Sequence, residues 1–353
     1  MKKLLIVLCL LLVPVLTGCS VFDGSYVSVT PHELSPDTPG NPVVSVSEFS
    51  ELYEAMEDMI HDGSTSGVIV VSGYPQSQVE PDAHRAIAQI CLNDPVAAYG
   101  VGEITFELGK SGGQPAIALT VDYTHDRTEL RKLKKVDTME QGLKIITAAL
   151  DQCQGRVVYR VKKYTPVDLE QAVYDYATEN PNLIMEQPQV TVNLYPQTGE
   201  DRVVELKFRY QTGRDSLRTL QSQVQPVFTS AALYVSGDAS ALQKYSQLYS
   251  FLMERFDYQL STSITPAYSL LCHGVGDSRA FATVYSAMCR QAGLSCQTVT
   301  GTCQGESRWW NLICVEGVYY HVDLLADSFL LRTDAEMTGY VWDYSAYPES
   351  GAE

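Results

Sequence analysis

Gly274-Val275-Gly276-Asp277-Ser278-Arg279-Ala280-Phe281-Ala282 is the centre of a stretch, Ala267 to Asp327, that decides how the rest of the chain is read. Two further segments follow it, Ser307-Arg308-Trp309-Trp310-Asn311-Leu312-Ile313 and Tyr319-Tyr320-His321-Val322-Asp323. Ala280, Val284, Ala287 and Met288 recur at helical spacing, so Asp277 to Arg290 is expected to form a helix that Gly293-Leu294 closes. From Arg308 onward Trp310, Leu312 and Cys314 fall on one face of a strand, and His321 and Asp323, two residues apart, share a face of another.

In this order and at these spacings the three segments resemble the core of the transglutaminase-like fold, the papain-related group of bacterial cysteine enzymes. That family reads Gly-Val-Cys-Asp-x-x-Ala, then His-Ala-Trp-Asn, then Trp-Tyr-x-Val-Asp. The resemblance places the family's nucleophile on Gly276, its general base on Arg308 and its orienting acid on Asp323. In the family the imidazole takes the thiol proton and the carboxylate fixes the imidazole tautomer. Glycine offers no nucleophile, and arginine, with a pKa above about 12, accepts no proton.

The catalytic triad implied by the resemblance is therefore vestigial. Arg308 is expected to meet Asp323 in a two-pronged contact at about 3–4 Å, over an open space at Gly276. The alternative is a live cysteine peptidase or protein cross-linking enzyme with a displaced pair, Cys272 and His321, although the family often carries a structural His at the latter position. Trp309, Trp310, Tyr319 and Tyr320 either line a groove for an extended peptide or glycan or belong to the core. The aromatic tail from Met337 to Pro348 resembles one found in some bacterial members and is expected to pack across the sheet. The resemblance covers about a hundred residues, under a third of the chain.

The start of the chain carries an address. Lys2-Lys3 is a basic region, Leu4 to Leu16 is apolar but interrupted by Pro14, and Leu16-Thr17-Gly18-Cys19 resembles the lipobox of bacterial lipoproteins. An apolar run this short does not span a bilayer. The expectation is a signal peptide over 1–18, a lipid on Cys19, and a Pro/Gly/Asp/Ser-rich tether over 19–43. That places the chain at the cell membrane, lipid-anchored on the extracytoplasmic face. The net charge of −17 becomes −19 without Lys2 and Lys3, which argues against nucleic acid as a partner.

Seven cysteines remain beyond Cys9 and Cys19, an odd number, so at least one thiol is free and local disulfides stay open. The spacings contain no Cys-x-x-Cys and the histidines are scattered. No metal and no cofactor are expected.

Between Val46 and Leu233 the sequence repeats at a period of roughly 87 residues. Tyr123-Thr-His-Asp-Arg127-Thr-Glu-Leu130-Arg131-Lys-Leu133 matches Tyr210-Gln-Thr-Gly-Arg214-Asp-Ser-Leu217-Arg218-Thr-Leu220 at five of eleven positions. Alternating strands, Ile104/Phe106/Leu108 with Ile117/Leu119/Val121 and Val190/Val192/Leu194 with Val204/Leu206/Phe208, flank Gly109–Gly113 and Pro196–Glu200, which read as hairpin loops. Helices are expected over Glu48–Ile60, Pro81–Leu92, Met139–Leu150 and Pro166–Ala177, and short strands over Val68–Val71 and Val157–Tyr159. Arg127, Arg131, Lys132, Lys134 and Lys135 form a basic patch, read as a solvated helix face or as a dock for an anionic wall polymer.

The fold expected is α+β: two repeated α-β-α-β-β modules, 44–136 and 137–236, followed by a transglutaminase-like domain over 237–353, whose first helix Asp238 caps. The function expected is a binding or scaffolding module at the cell envelope. It would hold a cell-wall component, a peptide or a protein partner, and its terminal domain would be an inactive relative of thiol enzymes.

Overall fold

The computed structural model describes residue 34 and residues 44–260, 266–326 and 328–351. The signal peptide, Cys19 and the tether lie outside the described residues, with one exception. Leu34 is buried against Val70 and Ala116, and its N–H donates to the Lys110 carbonyl at 2.7 Å. At that point the expected tether is seated on the folded part. Among the described residues no helix is long and apolar enough to cross a membrane.

The first module runs β1 (Val44–Ser45), α1 (Phe49–His61), β2 (Ser66–Val70), α2 (Gln76–Asn93), α3 (Pro95–Gly100), β3 (Val101–Ser111) and β4 (Gln114–Tyr123). Its sheet has the order β1-β2-β4-β3, with β1 parallel to β2 and the other pairs antiparallel. Leu52, Met56 and Ile60 of α1 and Val79, Ala83, Ala86 and Ile90 of α2 recur at helical spacing and bury against Ile117, Leu119 and Val121. The hairpin turns on Gly112–Gly113, both at positive φ, so the tight two-residue turn needs glycine and Gly109 belongs to the strand.

The second module begins ahead of the expected 137, since β5 pairs with β6, and runs α4 (Arg127–Arg131), β5 (Lys134–Thr138), α5 (Met139–Asp151), β6 (Arg156–Lys163), α6 (Leu169–Glu179), β7 (Gln189–Tyr195) and β8 (Arg202–Arg209). Its sheet, β5-β6-β8-β7, has the same arrangement of parallel and antiparallel neighbours. Each sheet thus opens on a short parallel edge strand that the expected α-β-α-β-β unit lacks. β1 has two residues and β5 exposes four of its five, so neither shows a buried alternation. The basic patch is correspondingly not one helix face: Arg127 and Arg131 sit on α4, whereas Lys134 and Lys135 sit on β5.

α2 begins at Gln76, ahead of the expected Pro81, and α6 begins at Leu169, where Asp168 accepts from Gln171 N at 2.9 Å. α3 is a wedge between the two sheets. Its Val96 and Tyr99 pack with Leu130, Leu133 and Val203, and Arg156 bridges the same seam to Glu129 at 2.8 Å and to buried Glu205 at 2.7 Å.

The internal match at Arg127 and Arg214 parts ways after Arg131 and Arg218, before its last shared residue, Leu133 and Leu220. In the first copy a five-residue helix gives way to β5; in the second, α7 (Arg214–Tyr234) continues for 21 residues. Its Leu217, Val224, Phe228 and Ala231 join the core of the terminal domain, so the boundary expected at 236 cuts through a shared cluster.

The terminal domain adds α8 (Ala241–Met253), β9 (Asp257–Tyr258), α9 (Pro266–His273), β10 (Val275–Gly276), α10 (Ser278–Gln291), β11 (Cys296–Cys303), β12 (Glu306–Val315), β13 (Val318–Val322) and β14 (Tyr340–Trp342). Ser240, not Asp238, caps α8, in a reciprocal box with Gln243. α10 is buried almost end to end, and its polar side chains are tied off: Thr283 Oγ1 donates to Arg279 O at 2.8 Å and Ser286 Oγ to Cys296 O at 2.9 Å. The antiparallel sheet has the order β13-β12-β11-β14. The aromatic tail thus does more than lie across the sheet, because Tyr340–Trp342 extends it as an edge strand on β11.

Candidate functional site

Asp277 caps α10 by accepting from Ala280 N at 2.9 Å. Two polar contacts then lock the helix to the sheet: Ser278 Oγ accepts from Trp309 N at 3.2 Å, and Asn311 Nδ2 donates to Ala282 O at 2.9 Å. Gly276 lies just ahead, buried, in the pair β9·β10. The open space expected there is absent. A Cβ at Gly276 would stand 2.7 Å from Ala280 Cβ and 3.1 Å from Leu270 Cβ, closer than ordinary van der Waals contact, so the side chains of Ala280 and Leu270 fill the space over Gly276.

Arg308 Nε donates to Asp323 Oδ2 at 2.8 Å, as the spacing of the two residues anticipates. The contact runs through one nitrogen and is not two-pronged. Tyr340 Oη also donates to Oδ2, at 2.7 Å, and Leu325 N donates to Oδ1 at 2.9 Å, so both carboxylate oxygens are shared. Burial works against the charge on Arg308, but the bond to Asp323 and that residue's negative charge, with Tyr340 and Cys303 nearby, together outweigh it and hold the guanidinium above its ordinary range. Burial, reinforced by Asp323, pushes the Tyr340 phenol well above its usual range, so it remains a donor. The sequence showed Tyr340 only as one ring in an aromatic tail.

His321 is buried with both ring nitrogens engaged. Trp310 Nε1 donates to Nδ1 at 2.9 Å, which places the imidazole proton on Nε2, facing Asp334 Oδ1 at 2.8 Å. Its acidic partner is thus Asp334, not Asp323. The Cys272 thiol on α9 is half-buried, and burial pushes it up in spite of the Tyr268 side chain, the reverse of an activated thiolate.

Burial lowers the pKa of His321 from its ordinary 6.5 in spite of Asp334. The unfolded chain therefore binds more protons than the folded one just below pH 6.5, and stability, whole above that value, falls on acidification through the window. A plot of melting temperature against pH is expected to show this fall in the wild type and to flatten there in His321→Gln.

The four aromatic residues read as a groove separate onto different surfaces, because neighbours on a strand point to opposite faces. Trp310 is fully buried with Val299, Leu312 and Trp342, and Tyr319 packs on that cluster. Tyr320 packs on the α10 side. Trp309 stays half-exposed, with the Arg279 guanidinium 4.9 Å from its ring centre and 5.7 Å from that of Tyr174 on α6. Beside Arg279 a cavity of about 330 Å³ opens between the second module and α10, lined by Thr178, Glu186, Gln187, Gln211, Arg279 and Thr283 among others. No sequence motif marks it, because its walls come from two domains.

A buried central helix laid against an antiparallel sheet, with Gly276 just before the helix, Arg308 on β12 and Asp323 just past β13, defines an α+β domain. The model of the transglutaminase-like superfamily matches residues 229–324, and the chain carries a transglutaminase-like domain there. Among solved structures it is similar to a transglutaminase (8% identity, TM-score 0.28), over 48% of this chain and 51% of that one. It is also similar to a protein from Cytophaga hutchinsonii designated a cysteine protease (13% identity, TM-score 0.27), over 44% of this chain and 65% of that one. A third, a protein from Parabacteroides distasonis designated a protease, shares 9% identity at TM-score 0.23, over 76% of this chain and 45% of that one. The chain thus spans less than two thirds of the length of each. No curated protein matches it.

Proposed function

We propose that the chain is a lipid-anchored extracytoplasmic protein whose transglutaminase-like domain binds and does not catalyse. The observation that carries this reading is the Arg308–Asp323 contact at 2.8 Å, a permanent ion pair where the family holds its base and orienting acid. Two features support it. The Gly276 site is packed by Leu270 and Ala280, and Cys272 and His321 are each committed to other partners. The ligand class is a cell-wall component, a peptide or a protein partner. The cavity beside Arg279 is the surface that supports binding best.

Purified protein is expected to show no hydrolysis or cross-linking of peptide and glutamine amides. Turnover that disappears in Cys272→Ser would overturn the reading. Restoring the family residues with Gly276→Cys and Arg308→His is expected to leave activity at background. The new side chain must displace Leu270 or Ala280, at a cost of about 1–3 kcal/mol for overpacking. A catalytically active double variant would show that the site is still shaped for chemistry.

A further inference from the structure

Away from the terminal domain, Glu57, His61 and Asp94 bring one carboxylate oxygen, one imidazole nitrogen and a second carboxylate oxygen within 4.8 Å of one another. Glu57 and His61 are four apart on α1 and so lie one above the other on the same helix face. Asp94 comes from the junction of α2 and α3. Its Oδ1 accepts from Ala97 N at 2.7 Å, which fixes the carboxylate and aims Oδ2 at His61 Nε2, 2.9 Å away. We propose that these three residues bind a divalent transition-metal cation of the zinc type, pinning α1 to the α3 wedge between the two modules.

The charges around the cluster favour a cation. Asp94 is almost wholly buried, and the half-buried Glu57 carboxylate makes no hydrogen bond or ion pair among the described residues. Burial and the neighbouring Asp94 charge hold the Glu57 carboxyl above its ordinary range, as expected where negative charge is poorly compensated. The arginine whose charge is felt at the cluster, Arg160 of β6, is already neutralised through two 2.8 Å bonds to Asp201. A dication therefore balances the two carboxylates. One imidazole nitrogen with two carboxylates suits zinc, at metal–ligand distances of about 2.0–2.2 Å, better than calcium or magnesium, which prefer all-oxygen shells. Three protein ligands leave a coordination position on the exposed side of His61. The sequence concealed the site, since its third ligand is supplied by folding and not by spacing.

Without a metal, a proton on His61 plays the compensating part, because the hydrogen bond to Asp94 raises its pKa. The experiment separates the two. Zinc chloride is titrated calorimetrically into the full-length chain at neutral pH, with magnesium chloride as the hard-ion control and the melting temperature recorded with and without a chelator. One zinc per chain is expected at this site, with magnesium at least a hundredfold weaker and a zinc-dependent rise in melting temperature that the chelator reverses. Glu57→Gln is the decisive variant, since its carboxylate has no bond to lose, and it is expected to weaken zinc at least tenfold with the metal-free melting temperature unchanged. Asp94→Asn keeps a capping side chain for α3 but loses the charged partner of His61, so it is expected to weaken zinc likewise and to lower the metal-free melting temperature. Absence of zinc binding, or zinc affinity untouched by both variants, would overturn the proposal.

Discussion

Asp323→Ala is expected to destabilise the terminal domain by about 3–5 kcal/mol, the cost of leaving a buried charge without its partner. The Asp323 carboxylate is almost wholly buried and accepts from Arg308, Tyr340 and Leu325 N, so its removal strands three donors at once. Arg308→Met leaves that carboxylate, 1% exposed, with two neutral donors and no counter-charge, so it should also cost about 3 kcal/mol. The size of both losses is the useful readout. If the pair were an exposed surface bridge, both variants would fall within about 1 kcal/mol of the wild type. Tryptophan fluorescence against denaturant measures both cleanly, since all three tryptophans, 309, 310 and 342, lie in this domain. Equal and small shifts would show that the ion pair is not what holds β12 to the chain after β13.

The same carboxylate explains how far the sequence could be read. Arg308, on β12, and Asp323, just past the end of the antiparallel neighbour β13, lie fifteen residues apart, so their meeting followed once the strands and the family pattern were recognised. α10 was legible for a similar reason, since Asp277 caps it and Gly293, at positive φ, closes it with only apolar or small residues on its inner faces. Tyr340 was not legible, because an edge strand of three residues carries no periodicity and its partner β11 lies more than thirty residues earlier. β1 and β5 escaped for the same cause.

Closure at Gly276 could not be read either, since it depends on how nearly Leu270 approaches from α9, a tertiary distance that no local pattern encodes. The matched segments at Arg127 and Arg214 show the limit from another side. Starts that share five of eleven residues give a five-residue helix in one place and a 21-residue helix in the other, because α7 carries Leu217, Val224, Phe228 and Ala231 into the terminal core whereas α4 buries Leu130 alone. The metal-type cluster at Glu57, His61 and Asp94 belongs with these, as a product of packing.

Trp310→Ala is expected to be the most damaging single change in the cluster of Val299, Leu312 and Trp342, at about 3–5 kcal/mol for the lost ring alone. Trp310 is fully buried and stands edge-on to Tyr340 and Trp342, with ring centres 5.2 and 5.8 Å away, so its removal opens a cavity beneath β14. A second loss is polar. Its Nε1–H is the donor that fixes the His321 tautomer, and without it the buried Nδ1 is unpaired, at about 1–3 kcal/mol more. Trp310→Phe separates the two contributions, since it keeps most of the ring and loses only the donor. Its cost should lie near the smaller figure, and the fall in stability below pH 6.5 should become shallower, because a freed Nδ1 accepts a proton more readily in the folded state. A Trp310→Phe protein as stable as the wild type, with an unaltered pH profile, would mean that His321 is held by Asp334 alone.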